Sequence, residues 1–488
     1  MIDPFLIALT ASSVLSALLT AGKIAFHLVV IGWVLLRRPR FQSSTLSWVI
    51  VIVAWPYFGA LIYLSFGEVR LGRRRRRQYE EIQNRVRKTS AKAWSAVPYP
   101  KLAPHYQPIA TLAESVAETV PRSGNRAELI GNSDEVIDRI VEDIDAATEH
   151  CHLLFYIFLA DDTGRKVGGA LERAVKRGVP CRLLVDGVGS RDFLSSGLMT
   201  GLRAAGVKVT EALPANLLRA MFARLDLRNH RKLVIVDGRV GYTGSQNVAD
   251  ANYMSNEESA PFVDVMMRIT GPVVRDLHEI FVVDWFLDAD EPLEGLLDVP
   301  NDAIPDGVPI QVLGTGPGSV NEAMVQIILS SLLMAREEII MSTPYFIPDQ
   351  ATFSALITAA RRGIETILIL PARSDRPLVH VASRSYFQGL LEAGVQIFQF
   401  TEGTLHSKTI TVDRTLALVS TANLDRRSFE LNFEVSTLVY DSDFASQLRL
   451  LQKGYLDDSK PIDPHAWKRR GWTRRIVESL AGTLSPLM

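Results

Sequence analysis

Residues 229–237 read Asn-His-Arg-Lys-Leu-Val-Ile-Val-Asp, and residues 244–247 read Gly-Ser-Gln-Asn. The same order returns as His-Ser-Lys-Thr-Ile-Thr-Val-Asp at 406–413 and as Ser-Thr-Ala-Asn at 420–423. In both copies the lysine is the second residue after the histidine and the aspartate is the seventh. One such copy is a weak signal, but two copies at identical spacing predict a duplicated functional element.

The sequence around each copy is duplicated as well. Apolar runs typical of buried strands alternate with amphipathic stretches that stop at glycine, such as the helix expected to end before Gly178 and another before Gly206. This repeat predicts an α/β fold of two duplicated α/β sandwich domains in a pseudo-twofold arrangement. The matched segments are 153–158 with 338–346, 170–178 with 355–363, and 202–207 with 390–395.

Length and composition limit the classes of protein. The chain has 488 residues, of which 47% are hydrophobic and 22% charged, as in a folded protein of several domains. The net charge of −1 does not indicate a nucleic-acid partner. Two cysteines, Cys151 and Cys181, exclude a disulfide framework and a cysteine-based zinc or iron–sulfur site. The predicted organisation is two transmembrane helices (1–67), a basic linker (68–125), the two duplicated domains (126–300 and 301–456) and an amphipathic tail (457–488).

Two apolar runs near the N-terminus predict membrane spans. Residues 5–36 are nearly all apolar, and residues 46–66 carry no formal charge although Pro56 lies among them. A span needs about 20 apolar residues, so two transmembrane helices are favoured over two buried core helices. Six arginines follow the second run and three lie between the runs. The larger cluster predicts that the rest of the chain lies in the cytoplasm.

The duplicated motif predicts chemistry on a phosphodiester. On a strand, His230 and Lys232 project to one face, and His406 and Lys408 do the same in the second half. Together they offer two imidazoles, one to attack phosphorus and one to protonate the leaving oxygen, and two ammonium groups to stabilise the developing charge. This chemistry predicts no metal and no other cofactor. The residues predicted to bind the substrate phosphate are Ser245, Asn247 and Asn423.

An imidazole used in this way needs a carboxylate to orient it. Asp264 follows His230 and Glu434 follows His406, each on the strand expected next in its own half, and these are the predicted orienting carboxylates. The motif aspartates are counted with the catalytic set, although their position at strand ends suits a turn or a structural role better. These are Asp237 and Asp413. No role is predicted for the remaining histidines, which lack a matching partner, namely His27, His105, His150, His152, His278, His380 and His465.

At these residues the chain resembles the phospholipase D superfamily, whose signature is the duplicated His-x-Lys-x4-Asp element. Within it, the chain is similar to the bacterial cardiolipin synthases. One departure is Ser420-Thr421, where the superfamily usually has Gly-Ser. The narrower resemblance rests on the N-terminal hydrophobic pair, the polybasic segment after it and the residues at 55–56, 67–68, 155–157, 242–245, 423–428, 431–434 and 485–487.

The resemblance implies phosphatidyl transfer between two phosphatidylglycerol molecules, which gives cardiolipin and glycerol through a phosphatidyl-histidine intermediate. It implies that His230 is the nucleophile and that His406 is the general acid and base. It also implies a bacterial cytoplasmic membrane protein whose partners are membrane lipids and not nucleic acid. The alternatives are a membrane-bound hydrolase or other phosphodiesterase of the superfamily and, from a different class, a non-catalytic membrane scaffold.

Two further segments have the pattern of lipid contacts. Residues 217–224 are apolar with interleaved arginines, which fits either a lid beside the site or an ordinary packing helix. Near the C-terminus, apolar side chains recur every fourth residue and basic residues accompany them at the start. That pattern indicates an interfacial helix or a helix docked on the second domain. The apolar positions are Trp472, Ile476, Leu480 and Leu484, and the basic ones are Lys468, Arg469, Arg470, Arg474 and Arg475.

Overall fold

A computed structural model describes residues 4–37, 42–63, 72–94, 99–214, 226–253, 261–298, 303–317 and 322–483. The segment 217–224 and Leu484, for which lipid contacts are predicted, lie outside these residues. The chain divides into an N-terminal unit that ends at Gly72 and a body that begins at Arg73.

The N-terminal unit contains one helix that is long and apolar enough to cross a membrane. Within α1 (Pro4–Arg37), the 23 residues from Val14 to Leu36 meet both criteria. The second predicted span is instead divided into α2 (Gln42–Ala54) and α3 (Pro56–Ile62). Proline lacks the N–H of a helix interior and its ring clashes with the preceding turn, so a new helix begins at Pro56. Of the described helices, only α1 is both long enough and apolar enough for a complete span.

The first half of the body alternates strands and helices as the duplication predicts. Its strands are β1 (Arg122–Ile130), β2 (Cys151–Phe155), β3 (Cys181–Asp186), β4 (Lys208–Ala212), β5 (Arg228–Asn229), β6 (Leu233–Val236), β7 (Val240–Gly244), β8 (Phe262–Val263) and β9 (Met266–Thr270). Its helices are α4 (Arg73–Trp94), α5 (Gln107–Ala117), α6 (Ser133–Ala146), α7 (Asp162–Lys176), α8 (Arg191–Leu194), α9 (Gly197–Ala205) and α10 (Val274–Ala289).

The second half repeats the series and adds a C-terminal segment. Its strands are β10 (Val308–Thr315), β11 (Glu338–Ser342), β12 (Glu365–Pro371), β13 (Gln396–Phe400), β14 (Thr404–Leu405), β15 (Thr409–Val412), β16 (Leu416–Ser420), β17 (Asn432–Val439) and β18 (Ser459–Pro461). Its helices are α11 (Ala323–Met334), α12 (Gln350–Arg361), α13 (Pro377–Ala393), α14 (Arg426–Glu430), α15 (Ser442–Asp457), α16 (Pro464–Lys468) and α17 (Trp472–Thr483).

Strand order demonstrates the duplication. The first half runs β1-β9-β7-β6-β2-β3-β4, and the second half runs β10-β17-β16-β15-β11-β12-β13, so these seven strands have counterparts at the same places. The second half adds β18 at its outer edge, beside β13. The two halves join through β1 and β10, which are equivalent strands paired antiparallel, as a local twofold requires. The sheets of the two halves are therefore joined through this strand pair, which leaves neither β1 nor β10 with an open edge.

Parallel strands form the outer part of each half, where both faces are covered. Every residue of β2, β3 and β11 is buried, as expected for strands with helices on both sides. The helices end where the sequence predicts. The backbone of Gly206, just past the end of α9, has φ = 103°, a left-handed conformation that ends a helix and favours glycine. Cys151 and Cys181 lie opposite each other on β2 and β3 and are not bonded.

The stretch predicted as a basic linker is built into the body. Ile82 and Val86 of α4 are buried in the cluster that contains α10, and Arg75 forms an ion pair of 2.6 Å with Asp288. Further along, α5 buries Ile109 in the core of the second half. Both helices are amphipathic and pack on the body through one apolar face. The sequence predicts a linker instead, because these apolar faces are too short to be evident in a polar, proline-rich segment.

Candidate active site

A cavity of about 520 Å³ lies at the boundary between the two halves, and both motif histidines line it. His230 comes from the first half and His406 from the second. The two halves therefore contribute to one cavity, as the sequence predicts. Other polar side chains around the cavity are Tyr156, Arg228, Asn247, Tyr253, Tyr345, Asp375, Arg376, Asn423, Asp425, Arg427 and Asn432.

Each histidine is held by a carboxylate from the opposite half. Nδ1 of His230 lies 3.0 Å from Oε2 of Glu434, and Nδ1 of His406 lies 2.6 Å from Oδ1 of Asp264. The sequence identified both acids but placed each with the histidine of its own half. The structure corrects that pairing, because the orienting contacts cross between the halves.

Short strands explain why the contacts cross. The strand before His230, β5, pairs in parallel with the start of β17, and the strand before His406, β14, pairs in parallel with β8. The backbone N–H of His230 donates to the carbonyl of Phe433 at 2.9 Å, and that of His406 donates to Val263 at 2.8 Å. Phe433 and Val263 immediately precede the two carboxylates. Each histidine is therefore aligned with the acid of the other half by backbone hydrogen bonds.

Burial and charge set the protonation of these four groups. Burial lowers the pKa of His230 to about 4 although Glu434 acts in the opposite direction, and burial also lowers the pKa of His406. Burial raises the pKa of Asp264, but His406 and a nearby lysine outweigh it and hold that pKa at about 2. The pKa of Glu434 is also lowered, against burial, by His230. At neutral pH the acids are ionised, Nδ1 of each neutral imidazole carries the shared proton, and each Nε2 keeps a free electron pair.

The motif lysines lie behind the histidines and are almost completely buried. Nζ of Lys232 donates to the carbonyl of His230 at 2.8 Å, and Nζ of Lys408 donates to that of His406 at 2.6 Å. Burial lowers the pKa of Lys232 to about 8 and that of Lys408 to about 7, although both acids act to raise them. Each lysine therefore fixes the backbone of its histidine, and neither is among the residues that line the cavity.

Two equivalent hydroxyls support the carboxylates. Oγ of Ser245 donates to Asp264 at 2.5 Å, and Oγ1 of Thr421 donates to Glu434. Neither side chain lines the cavity, which corrects the prediction that Ser245 binds the substrate phosphate. The replacement of the usual Gly-Ser by Ser420-Thr421 therefore does not remove this contact. Because threonine supplies the same hydroxyl as serine, the second copy retains this contact.

The cavity wall contains polar groups with unused hydrogen-bonding capacity. Asn247 and Asn423 both line it, as the sequence predicts for residues that meet substrate. Oδ1 of Asn247 accepts the backbone N–H of Ile157 at 3.1 Å, which orients the amide. Oδ1 of Asn423 and Oδ1 of Asn432 are buried without a partner among the described residues. These two oxygens are free to accept hydrogen bonds from a bound molecule.

Several wall residues were not predicted from the sequence. Tyr156 and Tyr345 follow the equivalent strands β2 and β11, so aligning the two repeats to the end of these strands identifies them. Asp375 and Arg376 belong to a loop before α13, and no motif marks them. Tyr345 donates a hydrogen bond to Asp375 at 2.8 Å, so this acid orients the ring at the wall.

The motif aspartates fix turns at the opposite ends of their strands. Asp237 accepts backbone N–H groups of Thr148, Glu149 and His150, and Asp413 does the same for residues 336–338. Both have positive φ, 54° and 50°, in tight hairpin turns. Neither lines the cavity, so the structure corrects their inclusion in the catalytic set and supports the structural role that strand ends favour.

Asp413→Ala is expected to lower the free energy of unfolding by about 2–4 kcal/mol, because three N–H groups lose their acceptor and alanine disfavours positive φ. The specific activity of the folded protein should stay within about threefold, since the residue is remote from the cavity. Chemical denaturation and assays of the folded fraction measure the two effects. Glu337→Ala is the control, because it keeps the backbone N–H that binds Asp413. A large loss of activity in folded Asp413→Ala protein would contradict this prediction.

Three histidines for which no role was predicted form a separate buried cluster. Ring nitrogens of His150, His152 and His278 lie within 4.8 Å of one another, the one such group among the described residues that could hold a metal ion. The rings of His150 and His152 are stacked 4.5 Å apart, and His152 lies within 3.3 Å of an Arg182 nitrogen. Burial lowers the pKa of all three. The cluster is not part of the cavity wall, and a metal-free reaction stays a prediction.

Comparison with known proteins agrees with this geometry. A family described as "Cardiolipin synthase, PLD-like domain" matches residues 140–285 and 328–451, one match in each half. A protein of Serratia proteamaculans named Cardiolipin synthase A is 36% identical over 493 residues, which cover 98% of this chain and all of that protein. A protein of the same name from Pectobacterium carotovorum is 36% identical over 499 residues, with the same coverage.

A solved structure shows the same fold at low sequence identity. The phosphatidylserine synthase of Haemophilus influenzae superposes with a TM-score of 0.59 at 16% identity, over 78% of this chain and 98% of that one. This likeness concerns the fold alone.

Proposed function

This chain belongs to the cardiolipin synthase family of the phospholipase D superfamily, and from that premise we propose how it transfers a phosphatidyl group. One phosphatidylglycerol donates its phosphatidyl group and releases glycerol, and a hydroxyl of a second phosphatidylglycerol accepts it. The product is cardiolipin. The observation that carries the proposal is the single cavity that holds His230 and His406, each with an ionised carboxylate from the other half.

In the first step Nε2 of His230 attacks the phosphorus. Glu434 holds the proton on Nδ1, so the electron pair on Nε2 is available to form the N–P bond. The P–O bond to glycerol breaks, and His406 delivers the proton that the departing oxygen needs. An anionic phosphodiester beside His406 raises the pKa of that imidazole, which favours the protonated form that acts as the acid.

In the second step the roles reverse at His406. Its neutral Nε2 takes the proton from a hydroxyl of the second phosphatidylglycerol, whose oxygen attacks the phosphorus and displaces Nε2 of His230. The enzyme then returns to its starting protonation. Lys232 and Lys408 stabilise the charge that develops on the phosphoryl oxygens in both steps. The free acceptors Oδ1 of Asn423 and Oδ1 of Asn432 suit hydroxyls of a glycerol headgroup.

The protein is membrane-associated, and α1 has the length and composition of a membrane span. We propose that it resides in a bacterial cytoplasmic membrane, that residues 1–67 cross it twice as a hairpin and that the body is cytoplasmic. The arginines after the hairpin support this orientation. A polytopic arrangement needs α2 and α3 to complete one crossing despite the break at Pro56.

Purified protein in mixed micelles with phosphatidylglycerol is expected to form cardiolipin and glycerol in equal amounts, measured by mass spectrometry. EDTA should leave the rate within about twofold, because the mechanism uses only side chains. Phosphatidic acid as the main product would instead support the hydrolase. Absence of turnover in protein with a native thermal transition would support the scaffold. Loss of activity in EDTA that zinc restores would contradict the metal-free mechanism.

A further inference from the structure

The C-terminal helix α17 exposes its apolar face. Trp472, Ile476 and Leu480 lie one turn apart and are 72%, 47% and 60% exposed. Val477 beside them is also exposed. In a surface helix of a soluble protein, the apolar residues normally face the core. In α17 they face outward, which is unfavourable in water.

The opposite face of α17 attaches it to the body. Glu478 is buried there and accepts hydrogen bonds of 2.9 Å from both Arg384 and Arg470. Ala481 packs with Ile347 and with α13. The helix is therefore docked on the second half, as one interpretation of the sequence has it, but through a buried ion network. Docking leaves the whole apolar stripe available for another contact.

The charge around this stripe is positive. Lys468, Arg469, Arg474 and Arg475 are exposed, and none has a carboxylate partner among the described residues. The one acidic residue of α17, Glu478, is neutralised inside the body. Apolar side chains flanked by lysine and arginine are what an anionic lipid surface binds, because the rings and aliphatic chains enter the interface while the cations meet the headgroups.

The buried face of α17 packs against the wall of the active-site cavity. Ala481 contacts a cluster that includes Ile347 and Val379, and both of these line the cavity. Leu378, also on that wall at the start of α13, is 54% exposed. The helix that carries the stripe is therefore attached to an apolar part of the cavity wall.

We infer that α17 and the four basic residues form a second membrane contact, distinct from α1, that lies in the interface of an anionic phospholipid bilayer. This contact holds the cavity mouth at the lipid surface, so that a phosphatidylglycerol reaches the histidines without leaving the bilayer. The second statement rests on the proposed function, whereas binding of α17 to anionic lipid does not.

An environment-sensitive fluorophore tests the contact in the full-length protein. Cys151 and Cys181 are buried, so a polar maleimide labels a cysteine introduced by Ile476→Cys in the folded chain. The control is Leu450→Cys, because Leu450 is equally apolar, 70% exposed and located on α15. In liposomes rich in phosphatidylglycerol, nitroxides on the acyl chains should quench the label at 476 at least about twofold more than the label at 450.

Three results would overturn the inference. Absence of quenching at position 476 would place α17 in water. Equal quenching at 476 in phosphatidylcholine and in phosphatidylglycerol liposomes would remove the role of charge. Disulfide crosslinking between two copies through position 476, with no quenching, would assign the stripe to a second copy of the chain.

Activity tests the link to the cavity. The triple variant Trp472→Ser, Ile476→Ser, Leu480→Ser should lose on the order of tenfold in rate on phosphatidylglycerol bilayers and keep its rate on a short-chain, monomeric phosphatidylglycerol. Equal rates for variant and wild type on bilayers would refute the delivery role. If the wild type turned over neither substrate, the proposed function would fail, while the quenching result would still decide whether α17 binds lipid.

Discussion

His230→Ala and His406→Ala are each expected to reduce the formation of cardiolipin by at least about 10⁴-fold, because each imidazole performs a step that no neighbour can take over. Without His230 there is no group to form the N–P bond. Without His406 the glycerol oxygen must leave unprotonated, and the acceptor hydroxyl has no base. Since the two histidines act as a unit, the double variant should be scarcely less active than either single variant.

The measurement is the initial rate with phosphatidylglycerol, together with mass spectrometry of acid-quenched peptides. We expect the phosphatidyl group on the peptide that contains position 230 and not on the one that contains 406. His465→Ala is the control, because His465 is exposed and lies outside the cavity. Near-normal activity in either single variant would refute the two-histidine site. A lipid adduct on His406 would exchange the two roles.

The sequence predicts the parts of the site whose information is local. Spacing within each motif identifies both histidines and both lysines. The prediction that each pair lies on a strand was wrong, because the pairs lie between β5 and β6 and between β14 and β15. Repetition predicts that the halves have equal strand order, which β2 and β11 illustrate as the fifth strand of each half, counted from β1 and β10. Both carboxylates are identified as well, although only Glu434 lies on a strand, β17, and Asp264 lies between β8 and β9.

Contacts between the halves were not predictable in the same way. A duplicated sequence is equally consistent with an acid that serves its own histidine and with one that serves the other, because the spacing is the same in both cases. The choice depends on β5 pairing with β17 and β14 with β8, which are two-residue contacts without a signal of their own. The hydroxyl contacts of Ser245 with Asp264 and of Thr421 with Glu434, by contrast, lie within each half.

The crossed pairing leads to the second large effect. Glu434→Gln and Asp264→Asn should each lower turnover by about 10²- to 10⁴-fold, because an amide of the same shape cannot fix the tautomer or stabilise the imidazolium. Both variants should retain the native thermal transition within a few degrees, as the side-chain volume is unchanged. Rates on phosphatidylglycerol alone do not show which histidine each acid serves, since the loss of either step stops the cycle.

A phosphatidyl ester of p-nitrophenol separates the two steps. Nitrophenolate leaves without a proton, so formation of the adduct needs the nucleophile but not the acid. With His230 as nucleophile, His406→Ala should release about one nitrophenol per active site in a burst and then stop, because no base activates the acceptor. His230→Ala should give no burst.

The presence or absence of a nitrophenol burst then shows which histidine each carboxylate serves. Crossed contacts require Glu434→Gln to behave like His230→Ala and Asp264→Asn to behave like His406→Ala. Pairing within each half requires the reverse grouping, so Glu434→Gln behaving like His406→Ala and Asp264→Asn behaving like His230→Ala would contradict the structure. This sorting does not depend on which histidine is the nucleophile, because exchanging the roles moves each acid together with its imidazole.

Thr421→Val, which removes the hydroxyl that supports Glu434, should slow the burst by about tenfold, and Thr421→Ser should restore it.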